Sequence, residues 1–140
     1  MIITVYQQLP KEAAKIREKV FIEEQGFCEE FDDTDCHAFH LVVFLDNVPA
    51  GTCRFFQGED SGEYILGRIA VLKEHRGKNL GSRLVEEVES QVKKTGGTVV
   101  RLHAQQRAVP FYEKQGYHAY GAIELDEGCP HIWMMKKLPD

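Results

Sequence analysis

The sequence has no apolar run long enough to cross a membrane, and Met1–Thr4 lead directly into polar residues. A membrane-spanning helix needs about 20 apolar residues, so we predict neither a membrane segment nor a secretory signal. Positive charge is also scarce, because 17 Lys and Arg residues stand against 22 Asp and Glu residues. The resulting net charge of −5 argues against broad nucleic-acid affinity. The length predicts a single domain spanning residues 1–140.

Cysteine is limited to four positions, and no pair has the Cys-x-x-Cys spacing of a zinc knuckle. Cys28, Cys36, His37 and His40 can be drawn as a metal site, but their spacing matches no common template, and we predict no metal. Without a secretory signal, reduced thiols in a cytoplasmic protein fit best. Cys53 lies in an apolar stretch and is interpreted as a core residue.

The stretch Gly67–Thr95 has the most informative pattern in the chain. Its first part belongs to a predicted strand, Tyr64–Val71. The residues of this strand are almost continuously apolar, which is typical of a strand covered on both faces. A helix is predicted to begin near Leu80 and to end at Gly96-Gly97. Its apolar positions recur at helical spacing and leave one face polar: Leu80, Leu84, Val85, Val88 and Val92.

The loop before this helix combines features that favour an anion. A helix N-terminus has unpaired backbone N–H groups and a partial positive charge, to which Arg76 and Lys78 add full charges. Gly77 and Gly81 allow a ligand to approach the backbone closely, and Asn79 tolerates a left-handed conformation. We therefore predict an anion site with a pyrophosphate as the favoured occupant, the alternative being an ordinary basic turn. The Walker and dinucleotide glycine motifs are both absent.

Two segments carry a resemblance to a known family. Arg76–Gly81 resembles the Arg/Gln-x-x-Gly-x-Gly/Ala signature of the GNAT N-acetyltransferases, with Asn in place of the first glycine. Gln105–Tyr117 is similar to the Asn-x-x-Ala…Phe-Tyr-Glu-Lys-x-Gly-Phe segment of that family, with Gln replacing the first Asn. Two further segments resemble its ElaA/YjcF-like branch, namely Arg17–Gln25 (Arg-x-x-Val-Phe-x-x-Glu-Gln) and Gly128–His131 (Gly-x-Pro-His). The resemblance covers essentially the whole chain.

The resemblance implies an α/β (α+β) fold. The expected sheet is twisted, mixed and mostly antiparallel, with flanking helices and two central parallel strands that splay apart, here Tyr64–Val71 and Thr98–Ala104. The residue pattern predicts the remaining elements: strands Ile2–Tyr6, His40–Leu45 and Ala50–Phe56, helices Pro10–Gln25 and Phe111–Gln115, and a hairpin of Tyr117–Ile123 with His131–Leu138.

The resemblance also implies direct transfer of an acetyl group from acetyl-coenzyme A to a primary amine of a small molecule or peptide. The backbone N–H of Val71 would stabilise the oxyanion, a contribution on the order of 3 kcal/mol. Tyr112 would protonate the leaving thiolate, although the plainer interpretation is a packed tyrosine. The cofactor-binding positions of the family map to Ile69, Val71, Arg76, Gly77, Lys78, Asn79, Leu80, Gly81, Ser82, Gln105, Phe111, Tyr112 and Lys114.

The general base stays open at this point, because Glu23, Glu24, His40, His103 and His131 are all chemically able. Histidine has the most suitable pKa near neutral pH. His131 is favoured slightly because it lies in the segment shared with the branch. Its plainer interpretation is a histidine at the start of a strand that makes a structural hydrogen bond.

Two charged features leave alternatives open. The run from Glu23 to Asp35 contains seven acidic residues and no Lys or Arg, and is interpreted as a solvated loop or as an attraction for a cationic amine. Arg68 stands among apolar neighbours and predicts a buried arginine that pairs with an acid or contacts substrate. A non-catalytic acetyl-coenzyme A-binding regulator, a longer acyl donor and a homodimer formed through sheet edges also remain open.

Overall fold

The computed structural model describes residues 1–27 and 31–139. The described residues do not include Cys28, which is one of the four cysteines, or Glu29 and Glu30, which belong to the acidic run. In chain order the regular elements are β1 (Ile2–Tyr6), α1 (Lys11–Arg17), β2 (Phe39–Leu45), β3 (Val48–Gln57), β4 (Glu63–Val71), α2 (Leu80–Lys94), β5 (Val99–Gln105), α3 (Val109–Lys114), β6 (His118–Asp126) and β7 (Cys129–Lys137).

The strands confirm the predicted α/β class. Within the described residues, seven strands follow one another in the order β1-β2-β3-β4-β5-β7-β6. The sheet is mostly antiparallel, with β4 and β5 as its parallel neighbours. None of the described helices is long and apolar enough to span a membrane. The internal contacts divide the chain into two compact units, Met1–Phe56 with Leu66–Val88 and Gln57–Ile65 with Glu89–Asp140.

The helical segment after β1 differs from the single helix predicted over Pro10–Gln25. Pro10 precedes α1 in the extended conformation usual for the residue before a helix, with ψ of 155°, and its carbonyl accepts the Ala14 N–H at 3.1 Å. After Arg17 the chain continues through a π-helical segment, Glu18–Glu24, in which the Gln25 N–H donates to the Val20 carbonyl at 3.0 Å. The predicted apolar face is nevertheless confirmed, and its residues pack with strand residues in one core cluster: Ala13, Ile16, Val20, Phe21, Val42 and Ala70.

The first unit is built on two antiparallel pairings, β1 with β2 and β2 with β3. The turn between β2 and β3 is Asp46-Asn47, as predicted, and both residues have positive φ values of 48° and 67°. Two consecutive left-handed residues match the right-handed twist of the flanking strands. Cys53 on β3 is buried, which confirms its predicted place in the core, and burial raises the pKa of its thiol.

The second unit pairs β5 with β7 and β7 with β6, both antiparallel. The predicted loop between the last two strands was too long: β6 runs to Asp126 and β7 begins at Cys129. Only Glu127 and Gly128 turn, with φ of 51° and 76°, so two residues suffice to reverse the chain.

Strand β6 also contains an irregularity. Tyr120 opposes Trp133 and Glu124 opposes His131, so the three residues between Tyr120 and Glu124 face the single Ile132. Gly121 within this bulge has φ of 78°, a left-handed value that glycine adopts readily and that most other residues disfavour.

The end of α2 shows why Gly96 and Gly97 were expected to stop this helix. Gly96 adopts φ of 87°, its N–H donates to the Lys93 carbonyl at 3.0 Å, and the Gly97 N–H donates to the Val92 carbonyl at 2.9 Å. This pair of hydrogen bonds is the Schellman arrangement, which satisfies carbonyls that the helix leaves unpaired. The prediction of the helix and of both its ends is confirmed within one residue.

Candidate active site

The loop between β4 and α2, in the first unit, has the backbone that the sequence predicts. A short 3-10 turn, Lys73–His75, leads to Gly77 at φ 83° and Asn79 at φ 61°. A side chain added at Gly77 would meet no atom within 4 Å, so the requirement for glycine there is conformational rather than steric. The Asn79 carbonyl accepts the Arg83 N–H at 3.1 Å, which makes Asn79 the residue from which α2 begins.

Arg76 lies in this loop, but its guanidinium already has protein partners. Nη1 and Nη2 donate to the two carboxylate oxygens of Glu24 at 2.7 and 2.8 Å, and Nε donates to the Val71 carbonyl at 3.0 Å. The bidentate hydrogen bonds to Glu24 raise the pKa of Arg76. Glu24, considered in the sequence as a candidate base, is therefore engaged with the arginine that was predicted to face phosphate.

The end of β4 holds two further predicted positions of this unit, Ile69 and Val71. Its position is fixed by β3: the Leu72 N–H donates to the Ala50 carbonyl at 2.9 Å. A Cβ added at Gly51 would stand 3.1 Å from the Ala70 carbonyl oxygen, so β3 approaches β4 closely at this point. The close approach of β3 and the Arg76 contact to the carbonyl both restrain Val71.

The second motif lies in the second unit, where β5 ends and α3 begins. Gln105 is the last residue of β5 and its Oε1 accepts the Arg107 Nε–H at 2.9 Å. Tyr112 on α3 is 6% exposed, and its ring meets the rings of Phe111 and Tyr117 edge to face at 5.0 and 6.1 Å. Lys114, by contrast, is exposed at the end of α3.

His131 joins this second motif through the sheet register, because it pairs with Gln105 across β5 and β7. It is 7% exposed, and Nδ1 lies 2.8 Å from the Cys129 carbonyl oxygen. A carbonyl can only accept, so Nδ1 is assigned as the donor and Nε2 carries the lone pair of the neutral ring. The structural hydrogen bond predicted for this histidine is confirmed, and it leaves a basic nitrogen available.

His103 lies beside His131 on the same face. Its ring centroid is 4.9 Å from that of His131 and 4.8 Å from that of Trp133, and its Nε2 is 3.2 Å from a carboxylate oxygen of Glu124. Burial, with a smaller contribution from His131, lowers the pKa of His103 against the opposing effect of Glu124 and Asp126. The ring is thereby favoured in its neutral form near neutral pH.

Part of the acidic run is not the solvated loop that the sequence suggested, because Asp32 and Asp35 are ion-paired within the protein, whereas Asp33 is exposed. Asp35 is 7% exposed and accepts Nη1 and Nη2 of Arg17 at 2.8 and 3.1 Å, and it accepts Nη1 of Arg54 at 2.8 Å. Asp32 accepts the same Arg54 Nη1 at 2.6 Å. Burial alone would raise the pKa of Asp35, but the hydrogen bonds and charges of Arg17 and Arg54 outweigh it and lower the pKa to about 2.

Arg68 is partly corrected as well. Its predicted acidic partner exists, since Nη2 lies 3.3 Å from Asp32, but its side chain is 31% exposed rather than buried. The backbone of Arg68 has φ of 52°, a left-handed value that breaks the regular alternation of β4. Strain of this kind costs on the order of 1–3 kcal/mol and persists only where its surroundings enforce it.

Metal binding receives no support from side-chain clustering: the described ranges 1–27 and 31–139 contain no group of three or more His, Cys, Asp or Glu residues suited to an ion.

His40 is buried and its Nε2 lies 3.1 Å from the Asp35 carbonyl oxygen, which makes Nε2 the donor. Burial lowers the pKa of His40 against the opposing effect of Asp35.

The two shifted histidines predict that acid destabilises the protein in a defined pH range. His40 and His103 both have pKa values below 6.5 in the folded chain, so the unfolded chain binds more protons as the pH falls through that value. Their contribution to stability is complete above about pH 6.5 and is lost progressively below it. We expect the urea concentration at the unfolding midpoint to decrease when the pH is lowered from about 7.5 to about 5.5.

The control for this pH effect is another histidine on the second unit. His103→Gln is expected to reduce the change of the urea midpoint with pH, whereas His118→Gln, at an exposed position of β6, is expected to leave that change as it is in the wild type. An equal change of the midpoint with pH in the wild type and in the His103 variant would contradict the contribution assigned to His103.

Comparison with known proteins identifies the family. A family model described as an acetyltransferase (GNAT) domain matches residues 6–138. The uncharacterized N-acetyltransferase YjcF of Bacillus subtilis (strain 168) is 36% identical over 138 residues, covering 96% of this chain and 97% of that protein. Escherichia coli ElaA has a TM-score of 0.83 at 22% identity, covering 96% of this chain and 99% of ElaA. An aminoglycoside 6'-N-acetyltransferase complexed with coenzyme A has a TM-score of 0.76 at 18% identity, covering 100% of this chain and 99% of that enzyme. The resemblance found in the sequence is confirmed, and the chain belongs to the GNAT acetyltransferase family.

Proposed function

We propose that the protein transfers an acetyl group from acetyl-coenzyme A to a primary amine of a small molecule or peptide. The observation that carries this proposal is the backbone before α2, where Gly77 and Asn79 are both left-handed and lead into a helix of 15 residues. The first turn of α2 contains no acidic residue, so the positive end of the helix is not neutralised from within. A pyrophosphate is the kind of ligand that such a helix start binds. The coenzyme A found in the related aminoglycoside enzyme supports the same donor class.

The backbone N–H groups of the loop, and not the Arg76 side chain, are proposed to provide most of the phosphate binding. Arg76 would have to release Glu24 before its guanidinium could reach a phosphate. Both partners are about two-fifths exposed, and exposed ion pairs contribute only about 0–1 kcal/mol. The exchange of Glu24 for a phosphate would therefore cost little. The remaining proposed contacts are those of Lys78, Leu80, Gly81 and Ser82 in the first unit and of Gln105, Phe111 and Lys114 in the second.

The proposed reaction is direct attack of a neutral amine on the thioester carbonyl. An alkyl ammonium has a pKa of about 10, so a base has to remove its proton. His131 is proposed as that base, because the Nδ1 contact to Cys129 leaves the Nε2 lone pair available. The N–H of Val71 would stabilise the oxyanion. As the carbon–sulfur bond breaks, the phenolic proton of Tyr112 would pass to the coenzyme A sulfur.

The acceptor is proposed to be a primary amine without a special requirement for positive charge. Asp32 and Asp35, two of the seven acidic residues that suggested a cationic acceptor, are already paired with Arg17, Arg54 and Arg68. Their negative charge is therefore largely compensated within the protein.

The proposal is tested by calorimetric titration of the protein with acetyl-coenzyme A. We expect saturable binding for wild type and loss of measurable binding for Gly81→Glu, which adds a carboxylate where the phosphates would lie. Glu24→Gln should leave binding unchanged or tighten it, because it frees the Arg76 guanidinium. Lys94→Glu, at the exposed far end of α2, is the matched control and should bind as wild type does. A flat titration of wild type, or full binding by Gly81→Glu, would contradict the proposed site.

A further inference from the structure

A cavity in the first unit lies outside every position discussed for catalysis. Its volume is about 360 Å³, within the range of small-molecule sites. A water-sized group occupies roughly 30 Å³, so the cavity holds a ligand of about a dozen non-hydrogen atoms. It is lined by Lys11, Glu12, Lys15, Ile16, Lys19, Pro49 and Leu72.

The lining divides into an apolar floor and a charged rim. Ile16 is 2% exposed, and Pro49 and Leu72 are half-buried, so these three side chains form a surface without charge. The rim carries three exposed lysines and one glutamate, which gives a net positive charge. Lysine stems can lie along the apolar surface while their ammonium groups stay at the opening.

The rim lysines are available for a ligand. Among residues 1–27 and 31–139, Lys11, Lys15 and Lys19 form no ion pair that would neutralise them. An anion entering the cavity therefore meets positive charge that the described part of the protein has not already compensated. Glu12 reduces this charge but does not cancel it.

We propose that this cavity binds a free carboxylic acid with a medium-length alkyl chain. The chain would lie against Ile16, Pro49 and Leu72, and the carboxylate would lie at the lysine rim. Removal of the apolar chain from water and ion pairing at the opening both favour this class of ligand. An inorganic anion would use only the rim and a neutral hydrocarbon only the floor.

The test is calorimetric titration with sodium octanoate, with and without saturating coenzyme A. We expect octanoate to bind in both conditions and acetate to give no saturable heat. The triple change Lys11→Gln, Lys15→Gln, Lys19→Gln should raise the octanoate Kd at least tenfold, which corresponds to about 1.4 kcal/mol. The matched control Lys93→Gln, Lys94→Gln, Lys137→Gln removes the same charge from exposed positions elsewhere and should leave the Kd within about twofold.

Three results would overturn the proposal. The first is octanoate binding that survives the rim changes unaltered, and the second is loss of octanoate binding when coenzyme A is added, which would assign the ligand to the donor site. The third is the absence of saturable binding by wild type. Circular dichroism of the triple variant establishes that it is folded, and Lys15→Gln alone provides a smaller change of the same sign.

Discussion

Replacing Asp35 with alanine is expected to lower the free energy of unfolding by about 3–5 kcal/mol. Arg17, whose side chain is 1% exposed, would lose both of its hydrogen bonds to Asp35, and Arg54 would lose one. Of the two carboxylates that Arg54 contacts, only the more exposed one, that of Asp32, would remain. Breaking a buried pair from one side is costly because the remaining charge stays buried without compensation. Since domains of this size are stable by about 5–15 kcal/mol, the variant would lose a large part of its stability.

Urea unfolding followed by circular dichroism measures this loss. Asp33→Ala is the matched control, because Asp33 lies in the same 3-10 turn but is exposed, and such surface changes usually fall within ±0.5 kcal/mol. Asp35→Asn should fall between the two, since it keeps an acceptor oxygen and removes the charge. A loss below about 1 kcal/mol for Asp35→Ala would show that the network does not depend on this carboxylate.

Replacing Tyr112 with phenylalanine is expected to lower kcat by about 100-fold, the low end of the range for general acid catalysis. The low end applies because a thiolate with a pKa near 8.5 leaves without full protonation. The substitution removes one hydroxyl and keeps the ring that packs against Phe111 and Tyr117, so the affinity for acetyl-coenzyme A should remain within about twofold.

The measurement is single-turnover acetylation of an accepted amine, with the donor Kd determined separately by calorimetry. Tyr6→Phe is the control, because Tyr6 packs beside the core of the first unit and has no proposed part in the chemistry. If the Tyr112 variant turns over at the wild-type rate, the acid assignment is wrong. If it loses donor binding as well, the hydroxyl acts in binding and not in proton transfer.

Much of the fold could be predicted because its signals are local. Apolar spacing predicted β1, β5 and α2. The turn at Asp46-Asn47 and the helix end at Gly96 could be predicted from the backbone preferences of those residues. The π-helical segment after α1 could not be predicted, because its apolar positions also fit an ordinary helix. Its wider backbone is seen in the hydrogen bond from Gln25 to Val20.

The backbone of the loop before α2 was predictable in the same way. The left-handed backbone of Asn79 follows from the residue type, and the structure confirms it. The partners of the charged residues were not predictable, because Arg76 and Glu24 are 52 positions apart and Arg17 and Asp35 are 18 positions apart. A run of acidic residues looks solvated when only its neighbours in sequence are considered. The arginines that pair with Asp32 and Asp35 come from α1, β3 and β4.

The bulge in β6 has a consequence for how this protein behaves at high concentration. As the last strand in the sheet order, β6 presents backbone groups that could pair with another chain, and Ile123 and Leu125 beside them are 53% and 74% exposed. Such an edge can seed stacked β-aggregates when it is long and flat. The three residues opposing Ile132 interrupt that flatness, and the charges of Glu124 and Asp126 repel an identical strand laid alongside. We therefore expect the irregular strand to resist fibre-like stacking even though its apolar residues are exposed.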